Sequence, residues 1–456
     1  MSKQYLRNFG IPALVLATFY VACADPPKKP TQKGGAGAGG EIAGETGGSD
    51  TAGNNATSGS GGSGAVSAGD AGMGGEAGSS EGGAAGEAGA APASGGTAGT
   101  GGGNAQGGKG GATSEGCAKV TIGQSKLPVP PAPATPVAKP TGAVGGLTVV
   151  NWAGFKGALS YTFDDSNASQ VVHYEELNAV GIPMTFYLIN GNQGSNPIWV
   201  KAIADGHELG NHTVHHCNFN GSGCVQAVTT FNADVELDDN TTFLMAKTGM
   251  TGVYTFASPN GDSGWMTPAK TRFLLGRGVS DYAGASIYPT TSLDSAFNLP
   301  CHITIENETA DGLATPNDPN DGLNLVADNV RANGSWRTIL MHGFTGTNDY
   351  AYHPIDIKEA VATMTYTKNL GDVWADTVIA IGSYWVAQKT ITPVQATTVG
   401  SDKVYSWTLP EHFPPGKYLR VTTTGGTVKQ CGTELAWDDH GYYEINLDAG
   451  SVTISP

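Results

Sequence analysis

From Gly142 to Lys389 the chain alternates short β-prone runs with helix-like runs, and this alternation limits the fold more than any other feature. Ala158 to Phe163 reads as a strand, Ala168 to Val180 as a helix stopped by Gly181, and Pro183 to Ile189 as a second strand. Pro197 to Ala204 reads as a helix with Pro at its first turn and Gly206 past its end. His207 to Asn211 is a short strand, Val225 to Thr248 a helix stopped by Gly249, and Gly252 to Ala257 a strand meeting a turn at Ser258 to Gly261. Thr267 to Leu275 reads as helix, Gly278 to Tyr282 as strand, and Tyr288 to Asn320 as long loops with one strand near His302 to Ile305. Gly322 to Ala332 is a helix, Trp336 to Met341 a strand, and Ile355 to Leu370 and Val378 to Lys389 are helices. Repeated strand-then-helix units imply an α/β fold with a parallel sheet or barrel. After Ile391 the runs become short, β-prone and separated by Gly, Pro and Asp turns, which reads as a small all-β appendage that packs on the sheet, with carbohydrate binding as the alternative.

The alternation fills only part of the 456 residues. Gly contributes 68 of them, most of the excess before position 115, where large apolar residues are scarce and no core can offset ordering entropy. That stretch reads as a disordered, flexible tether, and the Pro-rich run from Lys126 to Pro140 as a stiffer spacer. Ahead of the tether, Lys3 and Arg7 precede an apolar run from Phe9 to Ala22 that is too short to span a bilayer and has the proportions of an export signal. Val21-Ala22-Cys23 is similar to the end of a bacterial lipobox, with Cys23 the residue that would carry lipid; cleavage without lipidation is the alternative. The expected organisation is a signal at 1–23, a linker at 24–141, an α/β domain at 142–390 and a β domain at 391–456.

The formal net charge of -16, with no Lys/Arg cluster after the signal, argues against nucleic acid and anionic membrane surfaces as partners. Export places the six cysteines in a disulfide-permissive compartment. Cys217 and Cys224 flank a flexible segment and could close a small loop; Cys117, Cys301 and Cys431 cannot be paired from sequence.

Chemistry gathers at the strand ends. Asp164 and Asp165 close the first strand, His212 and His216 follow the third, and His342 follows Met341. Spacing of i and i+4 would set both rings of His212 and His216 on one face of a helical turn. Asp165 would complete two imidazoles and a carboxylate, a set suited to zinc or another first-row ion. Adjacent acids repel, so ligation by one and a proton-moving role for the other would resolve Asp164-Asp165; an N-cap pair is the plainer alternative.

Thr162 to Asp165, His212-Thr213 with His216, and Leu340 to His342 resemble the first, second and fifth motifs of the polysaccharide deacetylases, the NodB-homology enzymes of carbohydrate esterase family 4. The resemblance spans roughly residues 145 to 390. It implies a distorted (β/α)7-type barrel and metal-dependent removal of N- or O-acetyl groups from glycans. It further implies Asp165, His212 and His216 as metal ligands, Zn2+ with Co2+ or Ni2+ as alternatives, Asp164 as general base and His342 as general acid. Two departures stand out. The third motif, usually Arg-x-Pro-aromatic-Gly, is here Ala257-Ser258-Pro259-Asn260-Gly261, which removes the side chain expected to orient the base but keeps Pro259 and an Asn260 amide able to help hold an oxyanion. The fourth motif has no match, leaving Asp281 or Asp294 as stand-ins to tune His342.

The expectation is an exported, surface or outer-membrane lipoprotein, or alternatively a secreted or periplasmic one. It is monomeric, meets the membrane only through its lipid, and deacetylates a polysaccharide. A hydrolase of small-molecule C–N bonds on the same fold and a non-catalytic glycan-binding protein are the alternatives.

Overall fold

The structure, a computed structural model, describes Cys117 and residues 120–123, 125–279, 285–311 and 322–456. The signal-like segment with Cys23, the Gly-rich tether and Asp281 lie outside the described residues. In chain order the first elements are β1 Leu147–Val149, β2 Gly157–Asp164, α1 Ala168–Val172, α2 Tyr174–Ala179, β3 Thr185–Leu188, α3 Ile198–Ala204 and β4 Glu208–Asn211. Next come α4 Ala233–Thr248, β5 Thr255–Ala257, α5 Met266–Ala269, β6 Leu275–Arg277, β7 Cys301–Ile303, α6 Leu323–Asn333, β8 Trp336–Met341, α7 Ile357–Leu370, β9 Val373–Ala375 and α8 Val378–Ile391. The C-terminal strands are β10 Thr397–Val399, β11 Asp402–Ser406, β12 Tyr418–Thr423, β13 Thr427–Gln430, β14 Thr433–Glu434, β15 Tyr443–Asn446 and β16 Ser451–Ser455.

Seven parallel strands run in the order β6-β5-β4-β3-β2-β8-β7, with β9 pairing the start of β2. A bridge from Arg277 to Leu299, just ahead of β7, brings the two ends of the sheet together, so the sheet is a nearly closed (β/α)7 barrel. All eight residues of β2 are buried, as a strand covered on both faces requires. Leu159, Tyr161 and Phe163 pack into the core under the helices. The intervening Ser160, Thr162 and Asp164 therefore face the other way, into the barrel. Thr162 spends its hydroxyl on the Ile339 carbonyl at 2.9 Å, while Asp164 is delivered at the strand's C-terminal end.

Several expected boundaries shift. The helix expected over Ala168 to Val180 breaks at His173 into α1 and α2. The one expected from Val225 starts only at Ala233, where Asn232 caps the Asp234 and Val235 amides. The strand expected at Gly278 to Tyr282 falls partly outside the described residues, and the strand that follows the single-turn helix α5 is Leu275–Arg277.

α8 is buried on nearly all sides, because it lies between the barrel and the C-terminal strands. Tyr384 and Trp385 share an apolar cluster with Trp336 and Trp374 on one side and Leu419, Val421 and Ile445 on the other. The Pro-rich run is held against these strands. Arg420, itself buried, donates to the Pro128 carbonyl at 2.9 Å and to Ala153 at 2.7 Å, and the Trp437 indole donates to the Val137 carbonyl at 2.7 Å. A proline-rich chain leaves its carbonyls without intrachain donors, and these side chains supply them. A Cys117–Cys431 disulfide ties down the start of this strap.

His207, just ahead of β4, gives the fold a pH dependence. Its Nδ1 accepts the Met184 amide at 3.0 Å, so in the neutral ring Nε2–H donates to Asn178 at 3.1 Å. Burial, opposed by Asp205, pushes its pKa down to about 4. Between the unfolded value of about 6.5 and that value the unfolded chain binds a proton the folded one refuses, so stability is full above the unfolded pKa and is lost as pH falls. The loss is on the order of 3 kcal/mol. Urea unfolding compared at about pH 7 and about pH 4 should register it, and His207→Gln should flatten that slope. A slope unchanged by the substitution would exclude His207 as its source.

Candidate metal and catalytic centre

The acids and histidines expected to act together do meet, at the C-terminal mouth of the barrel. Asp165 follows β2 with φ of 74°, a left-handed conformation that turns the chain back and aims its carboxylate at the loop after β4. Its Oδ1 lies 3.3 Å from His212 Nε2 and 3.2 Å from His216 Nε2. Ligand atoms of these three residues all fall within 4.8 Å of one another. Asp165 Oδ1 is buried and has no hydrogen-bond partner, the kind of orphaned acceptor a cation would satisfy. Two imidazoles and one carboxylate with open positions fit zinc or a similar first-row ion.

His212 and His216 reach this arrangement without a helix. The chain from His212 to His216 is a loop in which Thr213 and His216 have φ of 66° and 53°. The helical reading of their spacing is therefore corrected: a tight loop folds the i+4 residue back instead. Asn211 Oδ1 accepts the Thr213 amide and Thr213 Oγ1 accepts the His216 amide, at 2.8 and 3.0 Å. His212 Nδ1–H donates to the Ala257 carbonyl at 2.8 Å, which fixes the tautomer and leaves the Nε2 lone pair facing Asp165.

The charges agree with a cation site. Burial alone would raise Asp165, but His216, His212 and His342 hold its carboxyl well below the usual range. Burial pushes His216 down to about 4, against the pull of Asp165. Burial also works to lower His212, but Asp164 and Asp165 outweigh it and raise its pKa. Burial holds the His342 imidazole below its ordinary value, opposed by Asp165 and Asp164.

Asp164, 2% exposed, stands beside the triad, its Oδ2 3.6 Å from His212 Nε2. His342 follows the last residue of β8 and is half-buried, and its backbone carbonyl accepts from Asn167 and Gln170, each at 2.8 Å. Its Nδ1 has no hydrogen-bond partner among the described residues. Asp294 does not serve it: that carboxylate accepts the Ser292 hydroxyl at 2.8 Å on a separate 3-10 turn. Pro259 and Asn260 follow Ala257 after Ser258, with Asn260 turning the chain at φ of 53°. Their side chains make no hydrogen bond to the acids or histidines.

Three supporting residues escaped the sequence reading. Arg277 at the end of β6 pairs with Asp164 Oδ2 inside the barrel. Gln170 donates to the Asp164 carbonyl as well as to His342. Glu236 of α4, buried, accepts the Val214 and His215 amides at 3.0 and 2.8 Å and the His215 ring at 2.6 Å. A Cys217–Cys224 disulfide closes the small loop after His216, and the Trp265 indole donates to the Cys217 carbonyl at 3.0 Å. Cys301 is a free, buried thiol. Glu236→Gln should weaken Zn2+ binding about 10- to 100-fold in a calorimetric titration while leaving the ligands intact. Unchanged affinity would show that the loop holds itself.

Residues 155–272 match the family model described as polysaccharide deacetylase. This stretch belongs to that family. The match covers Asp164, Asp165 and both histidines of the loop, and it ends before Arg277 and His342. No curated protein matches the chain. Among solved structures, the peptidoglycan deacetylase PdaC from Bacillus subtilis is 18% identical with a TM-score of 0.30, covering 51% of this chain and 93% of that one. PdaA of Bacillus subtilis, a family 4 carbohydrate esterase, is 13% identical with a TM-score of 0.31, covering 52% and 82%. A family 4 carbohydrate esterase from Streptomyces lividans, in complex with acetate, is 16% identical with a TM-score of 0.30, covering 50% and 95%.

Proposed function

We propose that the chain is a metal-dependent hydrolase that removes acetyl groups from a polysaccharide, with N-acetyl favoured over O-acetyl. The observation that carries this reading is the orphaned Asp165 Oδ1 between two histidine Nε2 atoms, with Asp164 and His342 alongside. Asp165, His212 and His216 would hold Zn2+, with Co2+ or Ni2+ as alternatives. Such an ion, when bound, supplies Lewis acidity to a water and to the acetyl carbonyl.

The chain's own residues move the protons. Asp164 takes the proton of the attacking water as that water adds to the carbonyl carbon. Its buried Oδ1 carries no hydrogen bond and is free to receive it. The Asn260 amide is the candidate donor to the oxygen on which negative charge develops. His342, in its protonated form, gives a proton to the departing nitrogen or oxygen as the C–N or C–O bond breaks, which releases acetate and a free amine or alcohol. Burial lowers the His342 pKa, so its acid form becomes populated at lower pH than that of an ordinary histidine. Exposed Tyr350 and Tyr352 lie on the loop after β8, and Tyr352 sits edge-on to the His342 ring at 5.3 Å. They offer apolar faces of the kind a sugar ring stacks on, which supports a glycan over a small molecule.

The export-type N-terminus supports an extracytoplasmic site of action, and Cys23 is the proposed lipid anchor. Among the described residues no helix is long and apolar enough to cross a membrane. A mass spectrum of the mature N-terminus tests the anchor. Acetate release from N-acetylated chitin oligomers, acetylated xylan and peptidoglycan fragments tests the function. Release should require Zn2+ and stop with chelator. No release from any of these by Zn2+-loaded protein sinks the reading.

A further inference from the structure

The family's third motif normally carries an arginine where this chain has Ala257, so Asp164 lacks the partner expected on β5. A guanidinium is nevertheless present at the same level of the barrel. Ala257 and Arg277 are register partners on the adjacent strands β5 and β6. Arg277 is fully buried. Its Nη2 pairs with Asp164 Oδ2, its Nη1 donates to the Gly278 carbonyl at 3.1 Å, and its guanidinium lies 5.2 Å from the centroid of the Tyr187 ring. Tyr187 is in turn the register partner of Asp164 across β2 and β3. The guanidinium thus lies over the Tyr187 ring and pairs with the Asp164 carboxylate in the barrel interior.

We infer that Arg277 is the positioning residue for Asp164, taking over from the neighbouring strand a task Ala257 cannot perform, and that it holds this carboxylate off the metal triad. The inference rests on the proposed role of Asp164 as base. Two cations compete for Asp164. Arg277 binds Oδ2, while the triad lies close by, with His212 Nε2 3.6 Å from the same oxygen. A buried carboxylate deprived of one cation turns to the nearest other, because leaving it unpaired is costly. Without Arg277 that cation is the metal. Asp164 would then become a further ligand and lose the freedom to accept a proton. With Arg277 in place, Oδ2 is engaged and Oδ1 remains free.

Zn2+ calorimetry on the full chain gives a readout that does not depend on turnover. Arg277→Met should bind Zn2+ about threefold or more tighter than wild type, and the gain should vanish in Arg277→Met/Asp164→Asn. In acetate release from N-acetylated chitopentaose, Arg277→Met should lose about tenfold or more in kcat with KM within about threefold, and Arg277→Lys should recover part of that loss. Wild-type Zn2+ affinity in Arg277→Met overturns the inference, and so does wild-type kcat. If Arg277→Met does not fold, the double variant, which buries no unpaired charge, is compared with Asp164→Asn. Equal Zn2+ affinity and activity in that pair support the inference, and a further loss in the double variant overturns it. A fully active Asp164→Asn refutes the base assignment instead, so the two failures are distinguishable.

Discussion

Asp165→Asn should lose stoichiometric Zn2+ binding and, with it, about three orders of magnitude in acetate release. Among the three candidate ligands Asp165 alone brings negative charge, and its Oδ1 is the atom both imidazoles approach, at 3.3 and 3.2 Å. An amide oxygen at that point is neutral, and an amide nitrogen would face two ring nitrogens without a lone pair to offer. The neighbouring Asp164 is held toward Arg277 through its Oδ2, so it is not placed to substitute for this oxygen between the two imidazoles. Calorimetry reads the metal and an acetate assay reads the turnover. Wild-type Zn2+ affinity in Asp165→Asn would remove this residue from the ligand set. His212→Ala and His216→Ala should move in the same direction, since each withdraws one of the two nitrogens.

Asp164→Asn should separate binding from chemistry. Zn2+ affinity should stay within about threefold of wild type while kcat falls about 10²- to 10⁴-fold, the range for loss of a positioned general base. The substitution keeps the side chain's shape and one oxygen for Arg277, so the barrel interior stays filled. It removes the lone pair that would take the proton from water. If Asp164→Asn binds Zn2+ normally and turns over like wild type, Asp164 is not the base. Loss of Zn2+ affinity matching that of Asp165→Asn would instead make Asp164 a ligand.

The same contrast shows what could be read along the chain. A β-prone run ending in two acids is a local pattern, and β2 carries it to the barrel mouth as its spacing implied. His342 was legible for the same reason, because it follows the last residue of β8. The spacing of His212 and His216 was legible, but its conformation was not. Two residues do not make a period, and side chains from Asn211 and Thr213 hold a loop where a helix was expected. The helix expected to begin at Val225 failed because the small disulfide loop and its exit occupy the chain as far as Asn232.

The sequence by itself determined the strand-then-helix order, the charged strand ends and the absence of an arginine at position 257, all of which are read from near neighbours. Only the tertiary structure decided which groups face each other. Asp164 and Arg277 are 113 residues apart, and nothing local joins them. They meet because parallel strands in register bring Ala257 level with Arg277, and near-closure of the barrel turns both side chains toward one interior. A charge buried in that interior must find a counter-charge, and which strand supplies it depends on the packing around the barrel rather than on distance along the chain.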